Sequence, residues 1–353
     1  LAPKSSDSSN SSRRASAASP SEVILDKIAI GVVGVGTLGF HHARLLKEFE
    51  GAHLVGVYDI DRDRGRGVAS ELGTSSFEAL EDLCGAVDAA IIAVPTREHL
   101  AVTKIALEHG CDILVEKPIA ADLSGADELV RLAEEHGRVV QVGHVERFNG
   151  AVRACEPYLK DPLFVESHRL APFVWRGTDV PVVLDLMIHD IDLIVSLVRR
   201  PVVDVKAVGV SVLSGSVDIA NARLEFEGGA VANITASRVS VSRQRKIRFF
   251  QPSGYISLDL GRGTGEFYRR KAFQAKTDGQ VTLSDFVEHV SLPGDGVEPL
   301  QLELEAFLQA VRGEAPVAVT AEEGRTALAI ALQIVERIEK HESHVIDSSS
   351  PRA

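Results

Sequence analysis

Ile28-Ala29-Ile30-Gly31-Val32-Val33-Gly34-Val35-Gly36-Thr37-Leu38-Gly39 is the stretch that decides the fold of this chain. An apolar, β-branched run leads straight into GxGxxG, and from Leu38 to Phe49 apolar side chains then recur at three- and four-residue spacing. Strand, glycine turn and helix in that order open a dinucleotide-binding βαβ unit. Gly34 is expected to allow the tight turn, Gly36 to let the backbone approach a pyrophosphate, and Gly39 to let helix and strand pack closely. Amides at the helix start, around Thr37 and Leu38, then hold the anion. Asp59 ends the next strand 20 positions after Gly39, placed to bond the adenosine ribose hydroxyls. A carboxylate there repels a 2′-phosphate, so NAD is expected over NADP; Arg62 and Arg64 are the residues that keep NADP in play. The alternative is a flavodoxin-like fold whose glycines serve only a turn.

Working outward, strands are expected at Ile28 to Val33, Leu54 to Asp59, Ala89 to Val94, Ile113 to Val115 and Val139 to Val142. They alternate with helices at Leu38 to Phe49, Arg62 to Leu72, His99 to His109 and Leu123 to His136. This rhythm predicts a parallel sheet. After Asn149 it changes. One helix pattern, Val183 to Val198, precedes alternating runs at Val202 to Val212, Ala222 to Phe226, Ala230 to Ser237, Lys246 to Phe250 and Tyr255 to Leu260. The turn signals Glu227-Gly228-Gly229 and Pro252-Ser253-Gly254 punctuate these runs and predict an antiparallel sheet. Two helices close the chain, the last starting at a capping box of Thr320 and Glu323 and running to Ile338. The expected class is α/β: an N-terminal Rossmann domain with a parallel sheet, then an α+β domain with an open-faced, mainly antiparallel sheet. The expected boundaries are a disordered tail at 1–22, the cofactor domain at 23–148, a substrate-binding and oligomerisation domain at 149–341, and a second disordered tail at 342–353.

Composition narrows the function classes. With 353 residues the chain has room for two domains, and 45% hydrophobic with 25% charged residues fits a soluble globular protein. No run of about 18 apolar residues is present, so no membrane span is expected. A formal net charge of -12 argues against a general nucleic-acid binder. Cys84, Cys111 and Cys155 are odd in number and lack CxxC or His-rich neighbours; neither a disulfide framework nor a metal site is expected, and a reducing, cytoplasmic compartment fits best. Arg13-Arg14 lacks the apolar stretch that a twin-arginine export signal needs. The sequence opens on Leu1 and its one Met is Met187, so an artefactual origin is among the expectations for its first residues.

Ala93-Val94-Pro95-Thr96, His99, Glu116-Lys117-Pro118, and later Asp185 with His189 make roughly residues 26 to 340 resemble the glucose-fructose oxidoreductase/inositol dehydrogenase/MocA family. The resemblance implies hydride transfer between a nicotinamide and a sugar or cyclitol carbon, and homo-oligomers (dimer or tetramer) formed through the second sheet. It implies that Lys117, at a strand end, and the helix-borne Asp185 and His189 are catalytic, and that the peptide before Pro118 is cis. Pro95, Thr96, His99, Glu116 and Lys117 are expected to line the nicotinamide side of the cofactor site. The chemistry makes independent sense: oxidising a secondary alcohol requires a base near the hydroxyl, and an imidazole with an ordinary pKa near 6.5 suits that task. Lys117 would stabilise alkoxide charge or relay the proton. Asp185, four residues before His189, would orient the imidazole or bind a substrate hydroxyl.

The segment His144-Val145-Glu146-Arg147-Phe148-Asn149, with Val183 to Asp190, is similar to the nucleotide-sugar dehydrogenases of that family. It implies oxidation at C3 of UDP-N-acetylglucosamine to the 3-keto sugar that precedes a 2,3-diamino sugar of lipid A. The substrate contacts expected are Lys117, His144, Arg147, Phe148, Asn149, Arg176, Asp185 and His189, with Arg169 a further diphosphate candidate and Trp175 a further ring platform. Gly150 departs from the subgroup, where Pro is expected, and predicts a looser domain junction. The rival expectations are a free-sugar or inositol dehydrogenase of the same family, and a non-catalytic, NAD-sensing binding protein.

Overall fold

The computed structural model describes residues 27–175, 180–272 and 282–349, without the side chains of 283 and 342–349. The expected tail at 1–22 and the candidate Arg176 lie outside the described residues.

The first sheet has six strands: β1 (Ile28–Val33), β2 (Ala52–Tyr58), β3 (Ser75–Phe77), β4 (Ala89–Ile92), β5 (Asp112–Glu116) and β6 (Val140–Gly143). They are parallel, in the order β3-β2-β1-β4-β5-β6. The order reverses between β1 and β4, and in such sheets ligands bind outside the carboxyl ends of the strands at that reversal. Between the strands run α1 (Thr37–Glu48), α2 (Arg62–Leu72), α3 (Leu80–Cys84), α4 (His99–Glu108) and α5 (Leu123–His136). Local chemistry sets their ends. Asp61 and Asp122 cap α2 and α5 by accepting from the amides of Arg64 and Gly125, and left-handed Gly73 and Gly137 stop the same helices.

Past the junction come α6 (Gly150–Cys155), strand β7 (Phe164–Leu170), one turn of π-helix (Val183–Met187) and α7 (Ile188–Val198). Six of the next strands are β8 (Val202–Val210), β9 (Ile219–Phe226), β10 (Val231–Ser237), β11 (Gln244–Gln251), β12 (Gly254–Asp259) and β13 (Thr264–Arg270), and β14 (Val287–Leu292) completes an eight-stranded sheet. All neighbours in it are antiparallel except β7 and β10, which run side by side in parallel. One face packs on α7 around Ile191, Ile194, Ile234, Ile247 and Phe249.

The closing helices α8 (Pro299–Val311) and α9 (Ala321–Ser349) do more than end the second domain. Leu300, Leu304, Phe307 and Leu308 of α8 are buried with Ile30, Leu46 and Val57 in the core of the first sheet. Leu328 of α9 joins that sheet's other core, whereas Ala331, Ile334 and Ile338 join the core of the second sheet. Residues after 298 therefore serve both units, and the chain does not divide cleanly at 148/149. The capping box forms: Glu323 Oε2 accepts from the Thr320 amide at 3.0 Å, and Thr320 Oγ1 from the Glu323 amide at 3.3 Å. The helix runs past Ile338 to Ser349, beyond the expected tail start at 342, because no Gly or Pro interrupts the chain between Gly324 and Pro351. At Gly150 a Cβ would stand 3.1 Å from Gly263 O and from Gly294 Cα, so its small size permits a close backbone contact.

Candidate active site

A cleft of about 710 Å³ opens at the carboxyl ends of β1, β2, β4 and β5. Gly34, Gly36, Thr37, Leu38, Asp59, Pro95, Thr96, His99, Glu116 and Lys117 all line it. The three motif glycines have separate reasons to be glycine. Gly34 sits at φ +83°, where a Cβ would meet Ala93 O at 2.7 Å; a Cβ on Gly39 would stand 1.8 Å from Gly34 O. Gly36 is different, since a Cβ there would meet nothing within 4 Å. That open space borders the start of α1, which has neither a side-chain cap nor an acidic residue in its first turn. An N-terminus of this kind suits an anion, so the residues present fit a dinucleotide pyrophosphate.

Asp59 is buried, and its Oδ2 accepts from the Val35 amide at 2.9 Å while its Oδ1 accepts from the Asp61 amide at 2.9 Å. It therefore braces the glycine turn as well as facing the cleft. Arg64 lines the same cleft, bonded to Asp61 at 2.9 Å and reaching Asp59 at 3.5 Å. Arg62 points instead to Glu78, 3.0 Å away.

Lys117 follows β5 directly, and the Lys117-Pro118 peptide is cis. Its Nζ donates to the backbone carbonyl of Asp185 at 2.8 Å, so the lysine touches the π-turn's main chain rather than the Asp185 carboxylate. Irregular turns of this kind inside helices recur at functional sites. Burial lowers the proton affinity of Lys117, against the opposing pull of Asp185 and Glu116. His189 is held well below its ordinary value, first by burial and then by the cations Lys117 and Arg169. It is a neutral imidazole at neutral pH, and its Nδ1 is buried without a hydrogen-bond partner. His144 follows β6, the neighbour of β5, and is also buried; its Nδ1 stands 3.7 Å from Asp192 Oδ2, and burial pushes its proton affinity down. Lys117 thus links the cofactor cleft to the groups beside it, its Nζ bonded to the Asp185 carbonyl and its charge acting on His189 and His144. His99 lines the cleft yet is anchored, its ring nitrogens 2.9 Å from Pro118 O and 3.0 Å from Val94 O, tying the loops after β4 and β5 together.

Other sequence-based candidates are engaged elsewhere. Arg147 makes a fork to Asp192 at 2.6 and 2.8 Å and a further bond to Glu323 at 2.9 Å. Arg169 is buried, bonded to Asp190 at 2.7 and 3.0 Å and to Glu146 at 2.8 Å. Both guanidiniums spend their donors on carboxylates of this chain, which corrects their expected role on a substrate diphosphate. Asn149 caps α6 through Oδ1 and donates to Leu260 O and Glu146, and Phe148 packs against the core of the first sheet, so neither faces the cleft. Trp175 is largely exposed and meets Phe173 edge-on at 5.2 Å between ring centres.

Two buried groups behind the cleft were not among the candidates: His42 of α1 and Glu303 of α8. Each occupies a helix position whose neighbours at three- and four-residue spacing are core residues, Gly39 and Leu46 for His42, Leu300 and Phe307 for Glu303. A polar, titratable residue on an otherwise apolar helix face is the signal that points to both.

Residues 28–144 match the family model described as an oxidoreductase family with an NAD-binding Rossmann fold, and residues 145–257 match the GFO/IDH/MocA C-terminal domain. The UDP-N-acetylglucosamine 3-dehydrogenase of Acidithiobacillus ferrooxidans is 37% identical over 314 residues, 88% of this chain and 96% of that protein. A solved structure of that enzyme superposes with a TM-score of 0.82 at 34% identity, covering 89% of this chain and 98% of its own. The scyllo-inositol dehydrogenase of Lactobacillus casei, solved with bound NAD(H) and scyllo-inositol, shares the fold at a TM-score of 0.73 and 21% identity, over 90% of this chain and 98% of its own. Among the described residues no helix is long and apolar enough to cross a membrane. A strand-turn-helix that fits a dinucleotide, a lysine lining the same cleft, and likeness over almost the whole chain lead to one conclusion: the chain belongs to the GFO/IDH/MocA oxidoreductase family.

Proposed function

We propose that this chain oxidises the C3 hydroxyl of UDP-N-acetylglucosamine with NAD, giving the 3-keto nucleotide sugar that is later aminated on the way to a diamino-sugar lipid A. The observation that carries this reading is the 37% identity to a UDP-N-acetylglucosamine 3-dehydrogenase across 96% of that enzyme's length. NAD is favoured over NADP because the buried Asp59 carboxylate faces the cleft and Arg64 is already bonded to Asp59 and Asp61.

The chemistry that a bound NAD supplies is acceptance of a hydride at its nicotinamide. Neutral His189, whose Nδ1 has no hydrogen-bond partner, is the group we assign to take the hydroxyl proton. Lys117, fixed by the Asp185 carbonyl, offers its ammonium to the developing alkoxide. Asp185 orients the lysine through its main chain and holds its carboxylate for a sugar hydroxyl. The buried reduced cysteines Cys84, Cys111 and Cys155 favour a cytoplasmic setting, and the open face of the eight-stranded sheet is the surface we assign to homo-oligomer formation.

The test is turnover by the purified protein. UDP-N-acetylglucosamine with NAD should give NADH absorbance and a keto sugar, whereas NADP should turn over far more slowly. Absence of turnover here together with turnover of inositol or a free sugar would sink the substrate assignment and leave the family membership standing.

A further inference from the structure

Behind Lys117, three polar side chains from three elements meet in the first domain's interior. His42 from α1, Glu116 from β5 and Glu303 from α8 bring one nitrogen or oxygen each to within 4.8 Å of one another, and all three are buried. His42 Nε2 donates to Glu116 Oε1 at 2.7 Å, and the second oxygen of Glu116 accepts from the Lys117 amide at 3.3 Å. Glu303 is 0% exposed, and neither of its oxygens has a hydrogen-bond partner.

Two carboxylates this close and this dry cannot both ionise without a cation between them. A divalent metal would be one answer, but ligands of one tetrahedral zinc stand about 3.3 Å apart, and the His42–Glu116 contact of 2.7 Å is a hydrogen bond. A proton is the remaining answer. Glu116 has a donor in His42 and a backbone amide, both of which favour its charge, and Glu303 has neither. We propose that Glu303 is a proton-bearing positioning residue: neutral itself, it leaves Glu116, held by His42, as the single negative charge directly behind Lys117.

The surroundings support this division. Burial raises the proton affinity of Glu303 well above the ordinary glutamate value, and the negative charges of Glu116 on β5 and Asp192 on α7 raise it further. From β6 it is faced by Gln141, whose amide donates to the Glu303 main-chain oxygen at 3.2 Å. Around Lys117, Asp185 and Glu116 favour the ammonium and Arg169 opposes it; the neighbouring His189 is neutral at neutral pH. A second carboxylate behind the lysine would strengthen its hold on the proton, and a proton on Glu303 prevents that. The consequence for catalysis rests on the role given to Lys117 above, but the charge arrangement is measurable without turnover.

Infrared difference spectra of the full-length protein at neutral pH should contain the carbonyl band of a protonated carboxylic acid that disappears in Glu303→Gln. The stability of that variant carries a second signature. A glutamate whose folded proton affinity is raised loses stability as pH climbs from its ordinary value of 4.5 towards the raised one, because the unfolded chain ionises first. Glutamine escapes this loss, so the Tm advantage of Glu303→Gln should be small near pH 4.5 and widen as pH rises. The positioning role is read from the pH dependence of Lys117 acetylation by peptide mass spectrometry. His42→Phe strips a donor from Glu116, weakens the charge that favours the ammonium, and should move the Lys117 titration to lower pH; His42→Gln, which keeps a donor, should move it less. The proposal is overturned if the infrared band is absent, if the Tm difference is flat with pH, if His42→Phe leaves the Lys117 titration in place, or if elemental analysis finds stoichiometric metal.

Discussion

Lys117 and His189 carry opposite requirements, and their environments separate them. In the proposed reaction His189 must be neutral to accept the hydroxyl proton, and burial with nearby cations keeps its pKa well below 6.5. Lys117 must keep its proton to stabilise the alkoxide, and burial brings its pKa below 10.5. The log of kcat/KM should therefore rise with pH through a value below 6.5 and fall again through a value below 10.5; a profile flat across the acid range would remove His189 as base. Lys117→Ala should lower kcat by about 10²–10⁴-fold while fluorescence titration still detects NADH binding. Lys117, Asp185 and His189 were visible in the sequence as reactive residue types, and the fold brings Lys117 to the Asp185 carbonyl and close enough to His189 for its charge to act there. Arg147 and Arg169 were misread for a physical reason: an arginine beside a binding motif looks the same whether its partner is a substrate phosphate or a buried carboxylate. Here the partners, Asp190 and Asp192, arrive from a helix more than twenty residues away and only in the fold.

At the level of elements, the glycine turn leaves no slack. Gly39→Ala would drive a methyl group into Gly34 O, so the variant should lose NAD affinity and Tm together, whereas Gly36→Ala, with open space above it, should keep Tm and lose mainly affinity. Thermal melts with and without NADH separate the two. Strand β7 shows where pattern reading stops. Its inward positions are Val165, Ser167 and Arg169, so the apolar alternation that reveals a strand is missing, although it lies between β10 and β11 at the sheet's centre. Its Arg169 is instead satisfied by Asp190 and Glu146. Arg169→Ala strips the guanidinium from buried Asp190, whose hydrogen-bond partner is then the Ser167 hydroxyl, and should cost about 3–5 kcal/mol of stability in denaturant melts. The helix Val183 to Val198 was legible in extent from its apolar content, but not the π-turn at its start, since a wider turn leaves no composition signal.

The molecule as a whole is held together by its last 50 or so described residues. Because α8 buries Leu300, Leu304, Phe307 and Leu308 against the first sheet, residues 27–148 alone would expose that apolar face. Such a fragment should bind a hydrophobic dye or aggregate, and adding back α8 within the full chain should abolish both; a fragment that melts cooperatively and binds NAD would contradict this. The alternation of strands and helices made the parallel sheet readable from sequence. The return of α8 and α9 was not, since a helix's apolar stripe says that a face is buried and not which sheet receives it. The central claim, hydride removal from C3 of a nucleotide sugar, is tested most directly with UDP-N-acetylglucosamine deuterated at C3. Mass spectrometry of the reduced cofactor should find the deuterium on its nicotinamide ring; unlabelled NADH with deuterium kept in the sugar would contradict the account.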